Sequence, residues 1–142
     1  MLLEFSDWLF LADVPANRIY CTEESENRCN CAYCKNYFKT IDNNYPNLRY
    51  FVSRFGMDLE VPESLVPITH EVYQSSYIVQ GKILRKGSVP IFVDDVAITA
   101  EEDTEPGYFT LNLGLMNLPW VLDEDPAQLT PPISIQEMLN IL

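Results

Sequence analysis

The chain has 142 residues, of which 47% are hydrophobic and 12% are aromatic. A chain of this length and composition can bury a core, so we expect one folded domain over residues 1–142 rather than a disordered chain. The net charge is −12 and no basic stripe is present, which argues against nucleic acid as a partner because nothing would neutralise its phosphates.

The first twenty residues predict one or two strands. The candidate core residues here are Trp8, Phe10 and Ile19. A turn is expected at residues 15–17, which begin with a proline. Residues 1–14 include acidic residues and no basic residue, whereas a secretory signal begins with a basic region. We therefore expect a cytoplasmic protein, in which thiols stay reduced.

The polar residues 22–30 predict a loop that leads into a helix. Asn30 suits the N-cap position, because its short side chain can accept a hydrogen bond from the first turn. The helix is expected to run to about Asn43 or Tyr45. Its apolar residues recur at steps of three and four, as they do on one helix face, and they are Cys31, Cys34, Phe38, Ile41 and Tyr45.

A second helix is expected to begin at Pro46, because the N–H group that proline lacks would have no partner in the first turn of a helix. Gly56 supplies the left-handed residue that commonly ends a helix. The apolar face between them contains Leu48, Phe51, Val52 and Phe55. The two helices predict a helical hairpin, and residues 57–69, which contain two prolines, predict a linker loop.

Strand signals dominate the next part of the chain. Residues 73–84 alternate, and the phase of the apolar pattern changes at Asp94 and Asp95, which predicts a bulge or a tight turn there. Residues 99–106 predict an acidic loop, and residues 109–115 alternate most cleanly. Neighbouring strands joined by short turns predict an antiparallel sheet of three to five strands.

At the C-terminal end, Ser134 and Glu137 have the spacing of a capping box. The short helix that they begin would bury Ile135, Met138, Leu139 and Leu142. The order of elements predicts an α+β fold, with an N-terminal helical hairpin packed on the sheet and a short C-terminal helix. No segment approaches the roughly 20 apolar residues of a membrane span, so we expect no membrane association.

All four cysteines fall within a short stretch of the chain, and they are Cys21, Cys29, Cys31 and Cys34. Four thiolates can complete the tetrahedral site of a structural Zn²⁺, and the partly positive start of a helix favours thiolates. Cys31 and Cys34 lie one turn apart, Cys29 can fold over them, and Cys21 can return through the preceding loop. The only histidine, His70, could replace one of these ligands.

Other interpretations of the cysteines stay open. Cys31 and Cys34 continue an apolar stripe, and free cysteines are often buried without any chemical role. Their Cys-x-x-Cys spacing is also that of thioredoxin-type redox pairs, although the strand that precedes such a pair is not predicted here. A disulfide or an iron–sulfur cluster is the remaining alternative.

Two short motifs carry a resemblance to a known family. The sequence Cys-Ala-Tyr-Cys-Lys-Asn-Tyr at residues 31–37 is followed by Phe-Gly-Met-Asp at residues 55–58. Together they resemble a small bacterial family of uncharacterised cytosolic proteins. The resemblance extends over the first half of the chain and does not include Cys21 or Cys29. It implies a bacterial cytosolic protein and no particular activity.

The charge is divided unevenly along the chain. Residues 1–86 hold 9 basic and 11 acidic side chains, whereas residues 87–142 hold 10 acidic side chains and no basic one. An acidic surface speeds encounters with a basic protein. The alternative is an acidic surface that only keeps the protein in solution.

These features favour a non-catalytic binding module with a basic protein partner, of which an immunity protein that captures a toxin is an example. The sequence has no nucleophile elbow, phosphate loop or dinucleotide motif. The His-Glu-Val-Tyr-Gln sequence that begins at His70 lacks the second histidine of a zincin helix. The alternative is a thiol-dependent redox enzyme or sensor that uses Cys31 and Cys34.

Overall fold

The computed structural model describes residues 1–129. These residues form seven strands and three α-helices, which confirms the α+β class. The strands are β1 (Leu2–Phe5), β2 (Trp8–Ala12), β3 (Ser64–Pro67), β4 (Val72–Arg85), β5 (Ile91–Val93), β6 (Val96–Glu102) and β7 (Tyr108–Asn117). The helices are α1 (Val14–Glu24), α2 (Ala32–Asn44) and α3 (Pro46–Ser53), and short 3₁₀ turns follow at Ser25–Asn27 and Pro126–Gln128.

The strands form one antiparallel sheet with the order β1-β2-β4-β7-β6-β5. The long strand β4 lies at its centre, with β7 along one edge and with β3 and then β2 along the other. The expected sheet of three to five strands is therefore too small. The one or two strands predicted in the first twenty residues are β1 and β2, which join this sheet. The four-residue β3 was missed, because so short a strand shows little alternation.

One face of the sheet packs against the helices and forms the core. Every second residue of β4 from Tyr73 to Val79 is buried, and the rings of Phe10 and Phe109 stack at a centroid distance of 5.3 Å. Phe55, just beyond α3, contacts both of these rings. Aromatic pairs of this kind contribute beyond their buried area, so the helices are fixed against the middle of the sheet.

Helix α1 corrects two expectations, since residues 15–17 are its first turn and residues 22–30 are only partly loop. Asp13 accepts a hydrogen bond from the Ala16 N–H, and a proline occupies the first turn, which is a favourable helix start. The candidate core residue Ile19 lies on the exposed side of this helix.

The buried Asn17 of α1 joins three elements. Its amide nitrogen donates to the carbonyl oxygens of Phe55 at 2.9 Å and Gln80 at 3.3 Å. Its amide oxygen accepts a hydrogen bond from the Gln80 N–H at 2.8 Å. The side chain therefore completes backbone hydrogen bonds of β4 and of the segment after α3 in the protein interior.

Helices α2 and α3 confirm the expected pair, and only Tyr45 separates them. The N-cap of α2 is Cys31 rather than Asn30. Gly56 has the expected left-handed conformation, with φ of +86°. A Cβ atom at this position would lie 2.4 Å from the Val14 carbonyl oxygen, so the close approach of α1 also requires glycine there.

The phase change at Asp94 and Asp95 is the tip of the β5–β6 hairpin, where both residues have positive φ. The Asp94 carboxylate accepts hydrogen bonds from the backbone N–H groups of Asn47 and Leu48, both at 3.0 Å, and from the Asn47 amide at 2.9 Å. It thus caps the start of α3, which lacks a cap from its own N-cap residue.

Two expected loops are partly strands. Residues 57–69 contain β3, and β6 extends to Glu102 into the acidic loop expected at residues 99–106. The expected C-terminal helix from Ser134 to Leu142 lies outside the described residues. Within residues 1–129, no helix combines the length and the apolar character needed to cross a membrane.

Candidate metal centre

Three of the four cysteines come together at the start of α2. The sulfur atoms of Cys29, Cys31 and Cys34 all lie within 4.8 Å of one another. A Zn–S distance of about 2.3 Å places the sulfurs of a tetrahedral site about 3.8 Å apart. A small inward movement of these side chains would therefore let them hold one metal ion.

The local chain path explains this convergence. Cys31 is the N-cap of α2, and its sulfur accepts a hydrogen bond from the Cys34 N–H at 3.4 Å. Cys34 lies in the first turn and is buried, whereas Cys29 and Cys31 are exposed. The helix start thus provides two sulfurs on one side, and the chain that precedes it brings the third.

Cys21 lies elsewhere. Its thiol is buried in the core and is 4.0 Å from the sulfur of Met57. Burial raises the pKa of this thiol. The expected four-cysteine site is therefore found with three sulfurs together, while Cys21 has the packing of a small apolar residue.

The cysteine-bearing segment, residues 28–34, is exposed over residues 28–31 and is anchored by Arg28. The Arg28 guanidinium lies over the Phe38 ring at 4.8 Å from its centroid, and it is 3.7 Å from a Glu60 carboxylate oxygen. These two contacts tie the segment to α2 and to the loop before β3, next to the first cysteine.

The pKa values of the Cys29 and Cys34 thiols are shifted in opposite directions. Hydrogen bonds from the Cys31 N–H, and from the Cys31 and Cys34 thiols, lower the pKa of Cys29. Burial and the neighbouring sulfurs raise the pKa of Cys34. Of these two thiols, the exposed Cys29 therefore loses its proton more readily, and metal binding would have to displace the proton of Cys34.

His70 does not join the sulfurs. Its Nε2 atom lies 3.1 Å from a Glu71 carboxylate oxygen, and its ring meets Trp120 edge-on at 6.0 Å. Within residues 1–129, no other cysteine, histidine, aspartate or glutamate ligand atom lies within 4.8 Å of all three sulfurs. The chain as described therefore supplies three ligands.

A surface cavity of about 350 Å³ opens beside Cys29 and Cys34, within the roughly 300–1,000 Å³ of small-ligand sites. Three carboxylates line it together with the Arg28 guanidinium, and they belong to Glu24, Glu60 and Glu63. The Tyr20 hydroxyl donates to Glu63 at 3.1 Å. The cavity is thus predominantly acidic.

No sequence signal identified the groups around the cysteines. Arg28 and Glu60 lie far apart in the chain, so their pairing depends on the fold. Burial and then the Asp42 carboxylate raise the pKa of Glu60. Among the described residues, Asp42 Oδ1 is one of three buried side-chain oxygens without a hydrogen-bond partner. In contrast, the clustering of the cysteines themselves was visible in the sequence.

No protein-family model, curated protein or solved structure matches the chain. The resemblance carried by residues 31–37 and 55–58 therefore stays a prediction. The candidate function rests on the geometry of the cysteines and on the distribution of charge.

Proposed function

We propose that the protein is a non-catalytic interaction module in which Zn²⁺, bound by Cys29, Cys31 and Cys34, fixes the cysteine-bearing segment. The observation that carries this proposal is the convergence of three sulfurs within 4.8 Å. Thiolates are the preferred protein ligands of structural zinc. A reducing compartment such as the cytoplasm would keep the thiols available.

Metal analysis of protein purified without chelator tests this proposal. We expect one zinc per chain in the wild type and in Cys21→Ala, because Cys21 lies against Met57 rather than among the other sulfurs. Cys29→Ala, Cys31→Ala and Cys34→Ala should each retain much less metal. Equal zinc content in all four variants would contradict the site.

The partner in this proposal is a basic protein. Seven carboxylates of the C-terminal half are exposed, and they belong to Asp95, Glu101, Glu102, Glu105, Asp123, Glu124 and Asp125. The three ion pairs found within residues 1–129 use other carboxylates, those of Glu4, Glu60 and Glu71. The seven carboxylates are therefore available to attract positive charge, as in an immunity protein that captures a basic toxin.

Association kinetics test the role of these charges. A basic partner recovered from the native host should associate more slowly as salt rises, since screening weakens electrostatic steering. Replacing Asp123, Glu124 and Asp125 together by amides should reduce the association rate at low salt more than at high salt. Recovery of only neutral or acidic partners, or a rate independent of salt, would contradict this role.

A second candidate function is thiol redox chemistry, which the exposure of Cys29 near two other sulfurs favours. Two thiols would form a disulfide while a peroxide takes up their electrons and protons and becomes water. The expected pair would then include Cys29 rather than only Cys31 and Cys34. Peptide mapping after mild peroxide treatment tests this, and the absence of any disulfide among the three would exclude it.

A further inference from the structure

We propose that the fourth position of the metal is filled from outside the chain, by the neutral imidazole of a histidine in the basic partner. This inference rests on the proposed function, because it requires a metal at Cys29, Cys31 and Cys34. Structural zinc takes four ligands, and three sulfurs are in place. The partner would complete the metal site as it binds.

The described chain does not supply the fourth ligand. Cys21 is buried against Met57, and His70 is engaged with Glu71 and Trp120. Residues 130–142 contain neither cysteine nor histidine, and Glu137 is their only acidic residue. That one carboxylate can be removed by substitution, so the test below does not depend on where it lies.

An external ligand can reach the site. Cys29 and Cys31 are exposed, and the cavity of about 350 Å³ is lined by both Cys29 and Cys34. This cavity therefore offers an outside ligand a path to the side of the site that carries the sulfurs of Cys29 and Cys34. Zinc sites with three protein ligands keep one position open to a ligand from outside, whereas sites with four protein ligands are closed.

The charge of the site selects the kind of ligand. One Zn²⁺ and three thiolates carry a net negative charge, and Glu24, Glu60 and Glu63 add carboxylates around the cavity. A fourth thiolate or a carboxylate would bring another negative charge into this field. Imidazole is neutral near pH 7 and is a common zinc ligand. A histidine flanked by basic residues therefore fits both the metal and the cavity.

The test uses Co²⁺ as the spectroscopic probe in a full-length His70→Gln, Glu137→Gln variant. The visible absorption bands of the bound Co²⁺ report the number and type of its ligands. We expect added imidazole to shift these bands with saturation, and acetate to bind about tenfold more weakly because of its charge. Replacing Glu24 and Glu63 by glutamine should reduce the difference in affinity between imidazole and acetate severalfold.

A peptide pair tests the partner's role with the same protein. A lysine-rich peptide with one histidine should bind the zinc-loaded protein about tenfold more tightly than its histidine-to-alanine twin. Without metal, the two peptides should bind equally. Equal binding of the two peptides to the zinc-loaded protein would overturn the inference.

The two proposals fail in distinguishable ways. If the protein binds Co²⁺ through three sulfurs but imidazole leaves the bands unchanged, the inference is wrong and the zinc site stands. A four-sulfur spectrum that loses one sulfur in Cys21→Ala would likewise overturn the inference alone. If acetate shifts the bands as readily as imidazole, selection of a neutral ligand is wrong. If Co²⁺ does not bind at all, both proposals fail.

Discussion

The strand β4 and the cysteine-bearing segment are held in place in different ways. β4 is paired along both edges, and its buried side chains pack against the helices. The cysteine-bearing segment is exposed over residues 28–31 and is anchored by Arg28 and by the start of α2. Packing within the chain therefore stabilises the first region, whereas a bound metal would add the missing constraint to the second.

The largest expected effect comes from the sheet region. Asn17→Ala removes three hydrogen bonds, and with them the side-chain partner of the buried Phe55 carbonyl oxygen and of the Gln80 N–H. The Gln80 carbonyl oxygen keeps its hydrogen bond from the Asp13 N–H at 3.0 Å. We expect the free energy of unfolding to fall by about 3 kcal/mol, from the cost of buried unsatisfied groups. Asn30→Ala, in the exposed segment, is the matched control and should change it by less than about 0.5 kcal/mol. Urea unfolding measures both, and similar losses would contradict the contrast.

Metal should stabilise the second region. At a free Zn²⁺ concentration about 100 times the dissociation constant, binding should raise the free energy of unfolding by about 2.7 kcal/mol. The gain should persist in Cys21→Ala, because that thiol lies apart from the other three sulfurs. Cys29→Ala should lose it. Urea unfolding with and without zinc measures the gain in each variant, and a gain of similar size in Cys29→Ala would place the metal elsewhere.

The tip of the β5–β6 hairpin provides a smaller test, because contacts within the chain hold it in place without a metal. Asp94→Ala removes the hydrogen bonds that cap α3, so we expect a loss of about 1 kcal/mol from the missing cap. Asp95→Ala is the matched control, because both residues have positive φ and share any backbone cost. The difference between the two variants in thermal or urea unfolding isolates the cap, and zinc should not alter it.

The smallest expected effect lies beside the cysteine-bearing segment. The pKa of Glu60 is raised in the folded protein, so the folded state binds a proton more tightly than the unfolded state. The free energy of unfolding therefore falls as pH rises through that pKa. Asp42→Asn removes one cause of the shift and adds an amide donor. We expect a gain of about 0.5 kcal/mol at pH 7, which shrinks near pH 4 as Glu60 becomes protonated. A gain independent of pH would contradict this explanation.

The parts of the fold that the sequence predicted are those with strong local signals. The steps of three and four residues identified α2, proline and glycine bounded α3, and alternation identified β4 and β7. Helix α1 was missed, although Asp13 and the following proline are a recognisable helix start. A proline is equally typical of a turn and of the first turn of a helix, so the short segment at residues 15–17 did not distinguish the two.

The candidate site was predictable only in part, for a physical reason. The clustering of the cysteines and the helix start predicted one site with all four cysteines, and three of them, Cys29, Cys31 and Cys34, do come together. The place of Cys21 depends on core packing against Met57, and the pairing of Arg28 with Glu60 depends on long-range chain path. Neither follows from local periodicity, so the sequence alone could not separate the fourth cysteine from the other three.

The central position of β4 has a practical consequence. A cut in the turn at residues 86–90 would divide the sheet into a piece with β1 to β4 and a piece with β5 to β7. Each piece would expose the apolar face that the other covers, and the two would rejoin along the β4–β7 edge. The fold therefore offers a natural split point for a fragment-complementation reporter, in which signal depends on reassembly of the two halves.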